Sequence, residues 1–201
     1  MIGLLSCSSL KLMVPAPAKW LYSRSPRFAQ QFMFLKEKCS EVFIVSAQHG
    51  ILREDQVVFP YDRKLSEMDA RSRVALARWI NEEQLINLRH ETFLSLLPKL
   101  YRTKLLSPQL KVVDATTGGM MDTAKAIGKQ PPIDPKDWPI QWVLEAVGKP
   151  GGILRGELQR QLEARAYHPT TVKCQLQRAE SCPLHTVSGD LIFNKYQANK
   201  I

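Results

Sequence analysis

Short apolar runs closed by small polar residues organise the amino-terminal part of the chain. Ile2–Ser6 reads as a buried strand and passes straight into Cys7-Ser8-Ser9 and on to Lys11. Val42–Ser46 has the same layout and passes into Ala47-Gln48-His49-Gly50. Continuous apolar runs of this length suit strands covered on both faces. A third strand is expected at Leu110–Asp114, leading into Thr116-Thr117-Gly118-Gly119 and a short helix over Met120–Ile127. Between these runs the period changes. Phe28, Phe32 and Leu35 stand at helical spacing within Ala18–Lys38, a helix interrupted at Pro26. A second helix is expected over Asp69–Leu88, with Val74, Ala77, Ile80, Leu85 and Leu88 inward, and a third over Glu91–Tyr101, interrupted near Pro98. Pro60 makes Val57–Asp62 extended. The pattern predicts an α/β fold, a small mostly parallel sheet with flanking helices over residues 1–129. Its ligand would lie outside the carboxyl ends of the strands.

Gln130–Pro139 holds four prolines in ten residues, the composition of a linker. A compact helical pattern over residues 140–201 follows. Helices are expected at Pro139–Val147, Leu154–Ala166 and Thr170–Ala179, the third entered through the turn Tyr167-His168-Pro169. Val187–Tyr196 reads as a hairpin turning at Ser188-Gly189-Asp190. Three short helices and a hairpin in about sixty residues resemble a winged helix-turn-helix domain. That resemblance implies that the third helix enters the major groove of double-stranded DNA. With Val172 and Leu176 inward, Thr170, Thr171, Lys173, Gln177 and Arg178 face outward to phosphates and base edges, and Lys195 joins them from the hairpin. A small helical bundle used for protein packing is the alternative.

Charge favours the same partner. The 201 residues carry a net charge of +9, and residues 1–40 hold six Lys/Arg against the single acid Glu37. Such a surface suits a polyanion, most often nucleic acid, although basic charge alone does not require one. The four cysteines Cys7, Cys39, Cys174 and Cys182 follow no signal-like segment, and no apolar run is long enough to span a bilayer. A cytoplasmic protein with reduced thiols and no membrane association is expected. Cys174, Cys182, His168 and His185 lack the paired spacing of a zinc knuckle, so neither metal nor cofactor is expected.

The small polar groups at the strand ends supply candidate chemistry. Tyr61-Asp62 follows Pro60 at a bend expected to hold the Asp62 carboxylate by backbone, and His49 precedes Gly50, where a chain can approach a ligand closely. Ser6, Cys7 and Ser46 sit at strand ends, Tyr22 and Tyr61 offer rings for stacking, and Lys11 offers a cation for phosphate. Each also has a plainer reading: His49 as a core or turn histidine, Cys7 as a small buried hydrophobe, Tyr61-Asp62 as a turn. Asp114 is the second candidate carboxylate. The Thr-Thr-Gly-Gly turn after it could cradle phosphate, but it lacks the lysine-serine pair of a nucleotide-hydrolysing loop.

Taken together, Ser6-Cys7…Lys11, Tyr22-Ser23, Ser46-Ala47-Gln48-His49-Gly50-Ile51 and Pro60-Tyr61-Asp62 resemble a little-characterised family of bacterial and phage domains. That family has an SCxxxK-like start, a tyrosine-serine pair, an SA-x-[HY]-GL segment and a PYD segment. This chain differs slightly in the Cys7–Lys11 spacing and has Ile51 where leucine is usual. A further similarity connects it to the uracil-DNA glycosylase superfamily and to an antiviral DNA glycosylase acting on glucosylated hydroxymethylcytosine. The resemblance implies a glycosylase-like fold and hydrolysis of an N-glycosidic bond in modified phage DNA, leaving an abasic site. Asp62, His49 and Asp114 are then the catalytic candidates. Ser6, Cys7, Lys11, Tyr22, Ser46 and Tyr61 are the substrate-binding ones. A winged-helix regulator with a ligand-sensing α/β domain, and a cysteine hydrolase using Cys7 and His49, are the competing expectations.

Overall fold

The computed structural model describes residues 1–115, 138, 140–149, 151–181 and 185–194. In chain order the regular elements are β1 (Ile2–Ser6), β2 (Ala16–Pro17), α1 (Ala18–Leu21), α2 (Pro26–Lys38), β3 (Glu41–Ser46), β4 (Gly50–Arg53), β5 (Val57–Val58) and α3 (Ala70–Trp79). Then come β6 (Thr92–Ser95), α4 (Lys99–Leu105), β7 (Lys111–Asp114), α5 (Gln141–Val147), β8 (Ile153–Leu154), α6 (Arg155–Ala164), α7 (Pro169–Ser181), β9 (His185–Ser188) and β10 (Leu191–Asn194). They form two compact units. One contains Met1–Leu10, Ser25–Gln56 and the residues from Tyr61 onward through β7. The other contains Lys11–Arg24, Val57–Pro60 and the described residues from Trp138 onward.

The first unit is α/β. Its sheet has the order β4-β3-β1-β6-β7, with β3, β1, β6 and β7 parallel and β4 antiparallel to β3. The parallel strands read as apolar runs because both faces are covered. On one side, Leu4, Phe43, Val45 and Phe93 pack with Ile80 and Leu97 in one buried cluster. α2 approaches β1 closely: a Cβ on Gly3 would stand 3.1 Å from Leu35 Cβ. Ser25 caps α2 by accepting the Phe28 N–H at 3.3 Å, and Pro26 occupies the first turn, where its missing donor costs nothing.

Several local expectations change. Ala18–Lys38 is two helices, because Ser25 and Pro26 start α2 afresh. Asp69–Leu88 is α3, capped by Asp69, followed by a π turn at Ile80–Gln84 and a 3-10 turn at Ile86–Leu88. Val74 is 68% exposed rather than inward. The helix expected over Glu91–Tyr101 is instead β6 followed by α4. Phe93 and Ser95 alternate inward, and β6 gains parallel neighbours on both sides, which a lone helix at that place would not. Strand β4 was not expected at all.

In the second unit, β2 pairs antiparallel with β5. Residues 11–24 join this unit through bonds such as Gln141 Nε2 to the Ser23 carbonyl at 2.9 Å. Helices α5, α6 and α7 share a core of Val143, Val147, Leu158, Leu162, Leu176 and Ile192 with β10. The strands form a small antiparallel sheet in the order β8-β10-β9. The amide of the fully buried Gln175 accepts the Ile140 N–H and donates to the Trp138 carbonyl, each at 2.9 Å. Among the described residues, no helix is long and apolar enough to cross a membrane.

Candidate functional site

Each parallel strand of the first unit ends in a small polar or acidic residue: Ser6 on β1, Ser46 on β3, Ser95 on β6 and Asp114 on β7. The registers place these ends along one side of the sheet. From β1 the chain moves to β3; from β6 it moves the opposite way to β7. Where two connections diverge like this, a crevice opens outside the carboxyl ends. A recess of about 230 Å³ lies there, lined by residues after β1 (Cys7, Ser8, Ser9), residues after β6 (Leu96, Pro98) and the start of α2.

Two hydrogen-bonded side-chain pairs belong to this end of the sheet. Cys7 Sγ lies 3.5 Å from Tyr101 Oη. Ser46 Oγ lies 2.8 Å from Tyr61 Oη and also accepts the N–H groups of Gln48 and His49 at 3.0 and 3.1 Å. With both lone pairs of Ser46 engaged, its proton goes to Tyr61 Oη, so Tyr61 directs its own proton to another acceptor. The His49 ring meets Tyr61 edge-on, with centroids 5.1 Å apart. Burial pushes the His49 pKa below 6.5, so its imidazole is neutral at neutral pH and keeps one N–H. Burial, then the nearby Cys7 thiol and its hydrogen bond, then Tyr61, raise the Tyr101 pKa far above the ordinary phenol value. Tyr101 therefore remains protonated.

The loop carrying His49 is pinned from outside the sheet. Gln84 Nε2 donates to the His49 carbonyl at 3.2 Å and to the Ile51 carbonyl at 3.4 Å, while its Oε1 accepts the Ile51 N–H at 2.7 Å. Gly50 makes this possible. Its φ is +64°, and a Cβ there would stand 2.1 Å from Gln84 Oε1.

The two candidate carboxylates differ. Asp62 is exposed and, contrary to the expected backbone clasp, accepts no hydrogen bond among the described residues. Asp114 forms an ion pair with Arg102 of α4.

The first unit thus contains Ser6, Cys7, Ser46, His49, Tyr61, Asp62 and Asp114, whereas Lys11 and Tyr22 belong to the second. Tyr22 is 0% exposed, so its ring has no face open for stacking. On α7, Thr170, Lys173 and Gln177 are exposed and Arg178 is half-buried. Thr171 is buried, a correction to its expected outward position: it stands one and two turns before Gln175 and Ala179, on the stripe that faces the core. Lys195, Cys182 and the Thr116–Gly119 turn lie outside the described residues. His168 Nδ1 accepts the Thr170 N–H at 3.3 Å, and His185 Nδ1 lies 2.6 Å from the Ala179 carbonyl. No group of three or more His, Cys, Asp or Glu among the described residues is arranged to hold a metal ion.

Sequence reasoning missed Ser95, Tyr101, Arg102 and Gln84. Ser95 carries the signal that found Ser6 and Ser46, a small polar residue closing an apolar run. The helix expected over Glu91–Tyr101 hides it, because Phe93-Leu94 and Ser95 fall inside that span.

Residues 2–131 match the model of a family described as a family of unknown function (DUF6884). No curated protein and no solved structure matches the chain.

Proposed function

The chain belongs to the DUF6884 family, and from that premise we propose that it is a DNA N-glycosylase that hydrolyses the bond between a modified base and deoxyribose. One observation carries the reading. Ser46, Tyr61 and His49, three residues singled out in the sequence, meet as neutral hydrogen-bonding groups at the carboxyl end of β3, next in the chain to the exposed Asp62.

The chemistry suits these groups. As the glycosidic C–N bond breaks, its electron pair passes to the base and positive charge develops on the sugar. The Tyr61 hydroxyl and the His49 N–H stabilise the departing base by donating to it. The Asp62 carboxylate stabilises the sugar cation and takes a proton from the attacking water, whose oxygen bonds the sugar carbon. Asp114 is already committed to Arg102, so it organises the end of β7. The base must be extruded to reach such a site.

The second unit suits a grip on the duplex. Its order of helix, short strand, two helices and hairpin agrees with a winged helix, and Thr170, Lys173 and Gln177 are exposed on the helix that would enter the groove. A bulky modified base of phage DNA, removed as antiviral defence, is the substrate that the resemblance implies. The test is alkali-labile abasic-site formation on modified and unmodified phage DNA. Strand breaks restricted to modified DNA are expected, and intact strands with folded, DNA-bound protein would overturn the proposal.

The same exposed face of α7 favours a second reading, a DNA-binding regulator without chemistry; protection of one operator sequence in footprinting would select it. A cysteine hydrolase has less support, because the Cys7 thiol is hydrogen-bonded to a protonated tyrosine rather than to a histidine base.

A further inference from the structure

The recess in the β1–β6 crevice has a chemistry that base release does not use. Among the described residues its lining contains four serines, one arginine and no carboxylate. The amino-terminal turn of α2, a helix of 13 residues, lines it and brings the positive end of the helix dipole. Arg27, exposed on that turn, is its charged residue. Ser8 Oγ accepts the Leu10 N–H at 3.1 Å and Ser25 Oγ accepts the Phe28 N–H at 3.3 Å, so each hydroxyl proton remains for donation.

Gln31 supplies the independent observation. It stands one helical turn beyond Arg27, lines the recess and is 6% exposed, yet its amide hydrogen-bonds to no described group. Its amide atoms are not among the side-chain atoms sealed from solvent, so they are reachable from the recess and available to a ligand. Among the described residues, hydroxyls, an amide, a guanidinium and a helix terminus surround the space without a carboxylate. That set rejects a cation and suits a tetrahedral oxyanion with several terminal oxygens.

We propose that this recess is a phosphate-binding site and that the DNA backbone supplies the phosphate. The site itself stands on its own geometry; the strand as its source rests on the base-release reading. A phosphate held at the crevice anchors the strand at the carboxyl ends of β1 and β6, on the sheet that carries Ser46 and its partners.

The test follows the side-chain amide signal of Gln31 in the ¹⁵N-labelled full-length protein during titration with inorganic phosphate, with sodium chloride at matched ionic strength as control. A saturable shift with phosphate alone is expected. The Arg27→Ala variant, at an exposed position, should bind phosphate about tenfold more weakly. Gln31→Glu should abolish binding by placing a like charge in the recess, with circular dichroism confirming its fold. Short single-stranded and duplex DNA should displace the phosphate. A Gln31 signal indifferent to phosphate, or equal affinity in Arg27→Ala, overturns the site. Phosphate that DNA cannot displace overturns the strand as its source. Base release by a protein whose Gln31 ignores phosphate removes this site and leaves the glycosylase reading standing; a saturable site in a protein that releases no base does the reverse.

Discussion

Tyr61 Oη receives the proton of Ser46, because the oxygen of Ser46 is already engaged by two backbone N–H groups 3.0 and 3.1 Å away. The serine therefore works as an orienting post for the phenol. Tyr61→Phe keeps the ring against His49 and removes only the hydroxyl. Single-turnover base release should fall about 10²-fold, while the melting temperature changes little. Unchanged release would show that the phenol does not face the leaving base.

The two carboxylates should separate by effect. Asp62 is exposed and hydrogen-bonds to no described group. Asp62→Asn should lower base release strongly and leave stability within about 0.5 kcal/mol. Asp114→Asn breaks a partly buried ion pair with Arg102. Its cost should appear as about 1–2 kcal/mol in denaturant unfolding, with a smaller loss of activity. The opposite ranking would make Asp114 the group that faces the sugar.

His49 sets a pH limit. Its folded-state pKa lies below 6.5 because burial disfavours the imidazolium. The unfolded chain therefore binds the proton more readily, and stability present above pH 6.5 is lost as pH falls toward the folded pKa. His185, buried beside the Ala179 carbonyl, shifts the same way. Urea midpoints measured between pH 7 and about pH 5 should fall with acidity. His49→Gln should flatten part of that fall and His185→Gln another part. Identical slopes in all three proteins would remove both assignments.

Gly50 is required by conformation and by space. At φ +64° an alanine is strained, and its Cβ would strike Gln84 Oε1. Gly50→Ala should destabilise the protein by about 1–3 kcal/mol and displace His49, lowering activity further than the stability loss explains. Gln84→Ala should reproduce the activity loss without the backbone strain. Full activity in Gln84→Ala would show that the loop holds His49 without it.

The strands that carry the site were legible where burial on both faces leaves unbroken apolar runs, as in Ile2–Ser6 and Val42–Ser46. Thr92–Ser95 was not, since its apolar run is only Phe93-Leu94, continues past Ser95 into Leu96-Leu97, and owes its strand identity to β1 and β7, far away in the chain. The error had a cost: Tyr101 at the end of the expected helix and Arg102 next to it are the partners of Cys7 and Asp114. Val74 shows the limit of helical periodicity, because Asp69–Leu88 changes pitch at Ile80–Gln84 and one inward stripe cannot be extrapolated through it. Thr171 shows the same limit on α7, where the buried stripe is one residue wider than Val172 and Leu176 alone indicate.

The bonds from Gln84 to Ile51 also bear on the edge of the sheet. Strand β4 is outermost in its sheet, and an outermost strand invites pairing with another chain. The N–H and carbonyl of Ile51 are both occupied by Gln84, and those of Arg53 by Gln56, whose Oε1 and backbone N–H lie 3.4 and 3.2 Å from them. Two glutamines thus stand in for a missing neighbour strand. Their removal would expose a template for intermolecular β-pairing, so the residue that steadies the His49 loop also guards the protein against aggregation.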